Sequence, residues 1–228
     1  MAEEKTGLGN PVDVMYLIHK ALRAEAIRVE TLARELGPGD SLQRFKLAFN
    51  TWVTALVYHA DQEDRFMTGP LKKSIESGLA GAGRGPGAQE VIGSGLTDEI
   101  KSAVVAQEDE LHGELVDTIE DVLTVLNDEI GKTSLITRTK QHLYSQVVAL
   151  RIAQEDHLDT EEALIVPIAR EQLSQCQQME MARAMLIDAE AQDPRWPVEW
   201  IARDLPAHER KLIADLETRL QVMPAAAD

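Results

Sequence analysis

Two short stretches of the chain carry the same pair of ligand-type residues. Histidine is followed four residues later by glutamate at His59–Glu63 and again at His157–Glu161. On a helix a four-residue step is about one turn, so each pair shares a face and can reach one point. An imidazole nitrogen and a carboxylate oxygen aimed at one point form a cation site. His19 and His112 stand as single histidines, and Glu108 precedes His112 by four residues.

These residues interrupt apolar stripes. Taken in steps of three and four, the second helical segment reads Leu42, Phe45, Phe49, Trp52, Leu56, His59, Glu63, Phe66. A later one reads Leu143, Val147, Leu150, Gln154, His157, Glu161, Leu164, Ile168. Between them lie Val105, Glu108, His112, Leu115, Ile119, Val122 and Leu126, and near the start Val12, Met15, His19, Leu22, Ala26 and Val29. That spacing is the signature of helices that bury one face. It predicts four long helices, at about Val12–Leu36, Ser41–Leu71, Thr97–Ile130 and Ser134–Leu173.

The punctuation agrees. Gly37-Pro38-Gly39-Asp40-Ser41 closes the first helix and offers a cap to the second, and Gly131 and Ser134 serve the last two. Gly78–Gly95 holds seven of the 14 glycines and reads as a mobile connection; without a Gly-Lys-Ser/Thr ending it is no phosphate loop. Beyond Leu173 a fifth helix is expected over Gln175–Ala191. A short amphipathic piece with Trp196, Trp200, Ile201 and Leu205 follows, and a last helix over Pro206–Val222. The expected organisation is a bundle over 1–173 and a helical extension over 174–228 packed on it.

The spacing also brings the histidines to one height. His19 and His59 are 40 residues apart with their midpoint at the Pro38-Gly39 turn, and His112 and His157 are 45 apart with theirs beside Ser134. Equal arms on either side of a turn, at about 1.5 Å per residue, level all four histidines in an up-down-up-down bundle. One HxxxE arises easily by chance in an acidic chain, and a lone core histidine is usually just hydrogen-bonded. Four imidazoles and two carboxylates buried at one level lack enough partners, and a cation uses their lone pairs. His142 and His208 fall off the stripes and read as surface residues.

Imidazole and carboxylate without thiolate suit iron, manganese or zinc. Six ligands exceed the needs of one open site, and the two matching halves suggest two metals. The full set (His19, His59-Ala60-Asp61-Gln62-Glu63, His112, His157-Leu158-Asp159-Thr160-Glu161) resembles the hemerythrin-like (HHE, cation-binding) family over about Val12 to Leu173. Pro70, Pro167 and Leu205-Pro206-Ala207-His208-Glu209-Arg210 are also similar to its bacterial members.

The resemblance implies an all-α, up-down four-helix bundle around two iron ions, bridged by two carboxylates and an oxo or hydroxo group. Manganese or zinc are the lesser alternatives. The family's oxygen carriers have HxxxH on the third helix where this chain has Glu108 and His112, a departure that puts reversible oxygen carriage in doubt. Glu108 is either an additional ligand or an acceptor holding an imidazole N–H. Tyr16, one turn before His19, and Tyr58, beside His59, are candidates to approach the metals, against packed tyrosines as the plain alternative. Gln154, one turn before His157, is a candidate donor to a bound oxygen species.

The expected function is therefore reaction with dioxygen or hydrogen peroxide, in a peroxide-protective or catalase-like role. The alternatives are a non-enzymatic binder or sensor of oxygen, nitric oxide or iron, and an oxygenase acting on an organic substrate.

Composition removes other classes. A formal charge of −16 opposes binding to nucleic acid or to an anionic membrane. Cys176 is the only cysteine, so neither an intrachain disulfide nor a thiolate zinc site is available. Met1-Ala2-Glu3-Glu4-Lys5 lacks the basic-then-apolar pattern of a signal peptide, and the expectation is a cytoplasmic protein.

Overall fold

The computed structural model describes residues 8–37, 39–82, 98–129 and 137–222. Among them every regular element is helical, as the apolar spacing requires. A 3₁₀ turn, Pro11–Asp13, leads into α1 (Val14–Glu35), with Pro11 at a position that needs no N–H. Gly39, at φ +86°, turns the chain. Asp40 Oδ2 accepts the Gly37 N–H at 2.7 Å, and Ser41 Oγ accepts the Gln43 N–H at 3.2 Å, so the expected cap starts α2 (Gln43–Glu63). Then come α3 (Gly69–Ala82), α4 (Asp98–Thr124), α5 (Thr137–Thr160) and α6 (Val166–Gln172). Ser174 and Gln177 form a reciprocal capping box that opens α7 (Gln175–Leu186), followed by α8 (Trp196–Arg203) and α9 (Ala207–Val222).

Three wide π-helical turns interrupt this order, at Asp64–Thr68, Val125–Glu129 and Glu161–Ile165. The first and third come directly after or on the HxxxE glutamates and run up to Pro70 and Pro167. A proline ring in a helix collides with the carbonyl four residues back and donates nothing to it. Widening the turn opens room for the ring. In the first case the Gly69 N–H reaches back five residues to Asp64 O. A Cβ on Gly69 would lie 2.8 Å from that oxygen, so any larger residue there must shift the turn.

The first and third widened turns advance the buried stripe by one residue, which corrects two core positions. Phe66 was expected inside, yet it is half-buried and Met67 is the one at 0% exposure. Leu164 was also expected inside but is 36% exposed, while Ile165 is at 0%. The helical stretch also continues past the expected end at Leu71 to Ala82, over Gly78 and Gly81. The rest of the Gly78–Gly95 connection, and Gly131 and Ser134, lie outside the described residues. α7 stops at Leu186, short of Ala191, where Ile187 turns extended at φ −132°.

The chain divides into two compact units. One comprises 22–60 and 106–161. Its core is built on Leu22, Ala26 and Val29, on Leu115, Ile119 and Val122, and on Leu143, Val147 and Leu150. Phe45 stacks on Phe49, which meets Trp52 edge-on. The other unit comprises 1–21, 61–105 and 162–228. There α7 packs against the Pro11–Asp13 turn and the Asp64–Thr68 turn, and α8 and α9 pack against α7. Arg183 donates to Leu220 O at 2.6 Å, and Lys20 pairs with Glu209 at 2.7 Å. Among the described residues no helix is long and apolar enough to cross a membrane.

Candidate metal centre

The unit of 22–60 and 106–161 collects five of the expected ligands. α2 supplies His59, α4 supplies Glu108 and His112 one turn apart, and α5 with its π turn supplies His157 and Glu161. Each sits on its helix's apolar stripe and is therefore buried with it. Glu108 and Glu161 are at 0% exposure, His157 at 1%, His59 at 2% and His112 at 8%. Glu108, His157 and Glu161 each offer a ligand atom, and those atoms all lie within 4.8 Å of one another. The rings of His112 and His157 meet edge-to-face with centroids 4.8 Å apart.

The separations within this cluster have two lengths. Glu161 Oε2 lies 3.4 Å from His157 Nε2 and 3.7 Å from His59 Nε2. Both are long for a hydrogen bond. The shorter falls within the separation of about 3.0–3.6 Å that two atoms adopt when each sits some 2.1 Å from one ion, and the longer lies just beyond it. Glu108 Oε1, by contrast, is 2.9 Å from His157 Nδ1. That contact has hydrogen-bond length but not hydrogen-bond angles, and neither Glu108 oxygen nor either His157 nitrogen completes a hydrogen bond. A misdirected donor leaves a carboxylate unsatisfied. A fully buried carboxylate in that condition calls for a cation, and the donor set fits one: imidazole and carboxylate, no sulfur.

His19 and Glu63 belong to the other unit, and each is at 0% exposure. His19 Nδ1 lies 2.9 Å from Glu162 Oε1, a hydrogen bond. A carboxylate only accepts, so Nδ1 carries a proton, and in the neutral ring Nε2 then keeps the lone pair that a metal-binding histidine needs. Sequence reasoning missed Glu162. Its position directly after Glu161 was the available signal, masked by the abundance of surface glutamates. Glu63 closes α2, one turn beyond His59 on the same helix.

The chain was compared with protein-family models, with curated proteins and with solved structures. None of them matches it.

Of the three candidates outside the ligand set, Tyr58 is half-buried, and Gln154 is fully buried and accepts a 2.6 Å hydrogen bond from the Trp52 indole. Tyr16 hydrogen-bonds Arg170, whose guanidinium also grips buried Asp13. Burial pulls the Arg170 pKa down, but the hydrogen bonds and charges of Asp13 and Tyr16 outweigh it and raise the pKa overall. His142 and His208 are exposed.

Proposed function

We propose that this protein is a di-iron, hemerythrin-like four-helix bundle that reacts with dioxygen or hydrogen peroxide. The supporting observation is Glu108 and Glu161, two fully buried carboxylates grouped with His157 at ligand separations. In water the Glu108 carboxylate is fully hydrated, and burying it without a hydrogen bond costs roughly several kcal/mol. A divalent or trivalent cation held by His59, His112, His157, Glu161 and Glu108 turns that cost into a binding site. By the sequence repeat of a single histidine followed by HxxxE, His19 and Glu63 join the set, giving the seven side chains that a pair of ions would use.

Iron bound there supplies reversible electron transfer and an open coordination position for a small oxidant. The chain's own contribution is to hold the ligands and exclude water. Apolar residues above and below the ligands on each helix, such as Leu56 and Leu150, keep bulk solvent away. Glu162 fixes the His19 ring in the tautomer that presents Nε2.

The test is metal content per chain after iron loading, together with an optical spectrum and oxygen evolution from peroxide. Two irons per chain and many turnovers support the proposal. Two irons with a single stable adduct and no turnover favour a binding or sensing protein. Oxygen consumption only in the presence of an organic compound favours an oxygenase. A chain that takes up no iron sinks all three.

A further inference from the structure

α2 and α5 touch at two places that share one register. Trp52 meets Gln154, and His59 meets Glu161. The two contacts lie seven residues apart along both helices. The helices therefore run in the same direction here, and the Trp52–Gln154 pair forms a layer two turns, or roughly 10 Å, before the Glu161 level. His157 comes three residues after Gln154 on the same face, between the two layers.

The direction of the Gln154 amide follows from its partner. An indole N–H can only donate, so the amide oxygen must face Trp52, at 2.6 Å. The amide nitrogen is then turned away from the indole. That nitrogen is fully buried and has no hydrogen-bond partner, although Gln154 itself is at 0% exposure. A buried amide N–H without an acceptor is a destabilising arrangement that proteins seldom keep unless something fills it. Without Trp52 the amide could rotate and present its oxygen, which would repel an anion.

We infer that Trp52 is a positioning residue that locks the Gln154 amide, so that its N–H groups donate to a small anion held at the metal centre. The inference rests on the metal reading above and adds to it a recognition element for the ligand. It also gives Trp52, an apparent core residue, a polar task through its indole nitrogen.

Azide, a small linear anion rich in lone pairs, is a suitable probe. It is titrated into the iron-loaded full-length chain, followed by visible absorption, with iron per chain measured for every variant. Gln154→Leu is expected to weaken azide binding about ten-fold at unchanged iron content, the size of one hydrogen bond to a charged group. Trp52→Phe, which removes only the N–H donor and part of the ring, is expected to weaken it about three-fold. In the Gln154→Leu background Trp52→Phe should have no further effect, because nothing remains to position. Gln154→Glu keeps the shape and is the safeguard if Leu disturbs folding; it should abolish azide binding.

Two results overturn the inference. One is azide affinity within about two-fold of the parent in Gln154→Leu or Gln154→Glu at normal iron content. The other is a Trp52→Phe loss that persists fully without Gln154, which assigns Trp52 to packing alone. If the parent chain itself holds no iron, the metal reading fails first and the inference falls with it.

Discussion

Two buried carboxylate sites in this molecule are treated in opposite ways. Asp13, 5% exposed, is gripped by Arg170 through both Nε and a terminal nitrogen, with Tyr16 on the same guanidinium. Its charge is cancelled inside the chain. Glu108, at 0%, has no such partner: its near neighbour is the His157 ring, at a poor angle, and both its oxygens lack a hydrogen bond. The contrast shows that this sequence can place an arginine where a buried carboxylate needs one. Where it places imidazoles and further carboxylates, the missing charge is expected from outside the chain.

The comparison can be broken most sharply by chelation. If a tightly bound cation neutralises the cluster, its removal should cost about 4 kcal/mol at a thousand-fold excess over Kd. For a chain of this length that lowers Tm by roughly 8–16 °C, and calorimetry with and without chelator measures it. A Tm indifferent to chelator would place the cluster in the same self-sufficient class as Asp13. Asp13→Ala, next in size, should cost about 2 kcal/mol, because the half-exposed guanidinium can turn partly to water. Iron content should stay at the parent value in that variant, and a loss of iron would show that the two sites are not separate devices.

Glu108→Gln then sharpens the contrast through opposite signs. In the iron-free protein the neutral amide relieves a buried charge and should raise stability by about 1 kcal/mol, whereas in the loaded protein iron affinity should fall. Denaturant unfolding of both forms tests it, and destabilisation of the iron-free form would mean that the charge is already satisfied. The smallest effect concerns the π turn next to the first HxxxE pair. Gly69→Ala pushes a methyl against Asp64 O and should cost about 1 kcal/mol by thermal unfolding. An unchanged Tm for Gly69→Ala would show that the wide turn relaxes freely.

Much of this was legible in the residue order. The all-helical class follows from stripes such as Val12, Met15, His19, Leu22, Ala26 and Val29, all buried as their spacing requires. The burial of every expected ligand follows from the same rule, since a polar residue on an apolar stripe goes inside with its neighbours. What escaped were events that periodicity does not encode. The widened turns displaced Phe66 in favour of Met67 and Leu164 in favour of Ile165, although Pro70 and Pro167 were visible as reasons for a helix to deform. Side-chain pairings distant in sequence escaped as well. Glu162 on His19, Arg170 on Asp13 and the Trp52 indole on Gln154 join residues more than a hundred positions apart. Nothing in a local pattern marks which glutamate or arginine will meet which partner.

The wide turn at 64–68 also bears on which lengths of chain this fold can accept. One surplus residue has been absorbed there without ending the helix, so everything beyond it is rotated by about 100° from where an unbroken spiral would carry it. Losing a single residue from that turn would therefore spare the local backbone yet swing Met67, Leu71 and Ile75 off the interior face. Point substitutions at the same positions would be the milder injury.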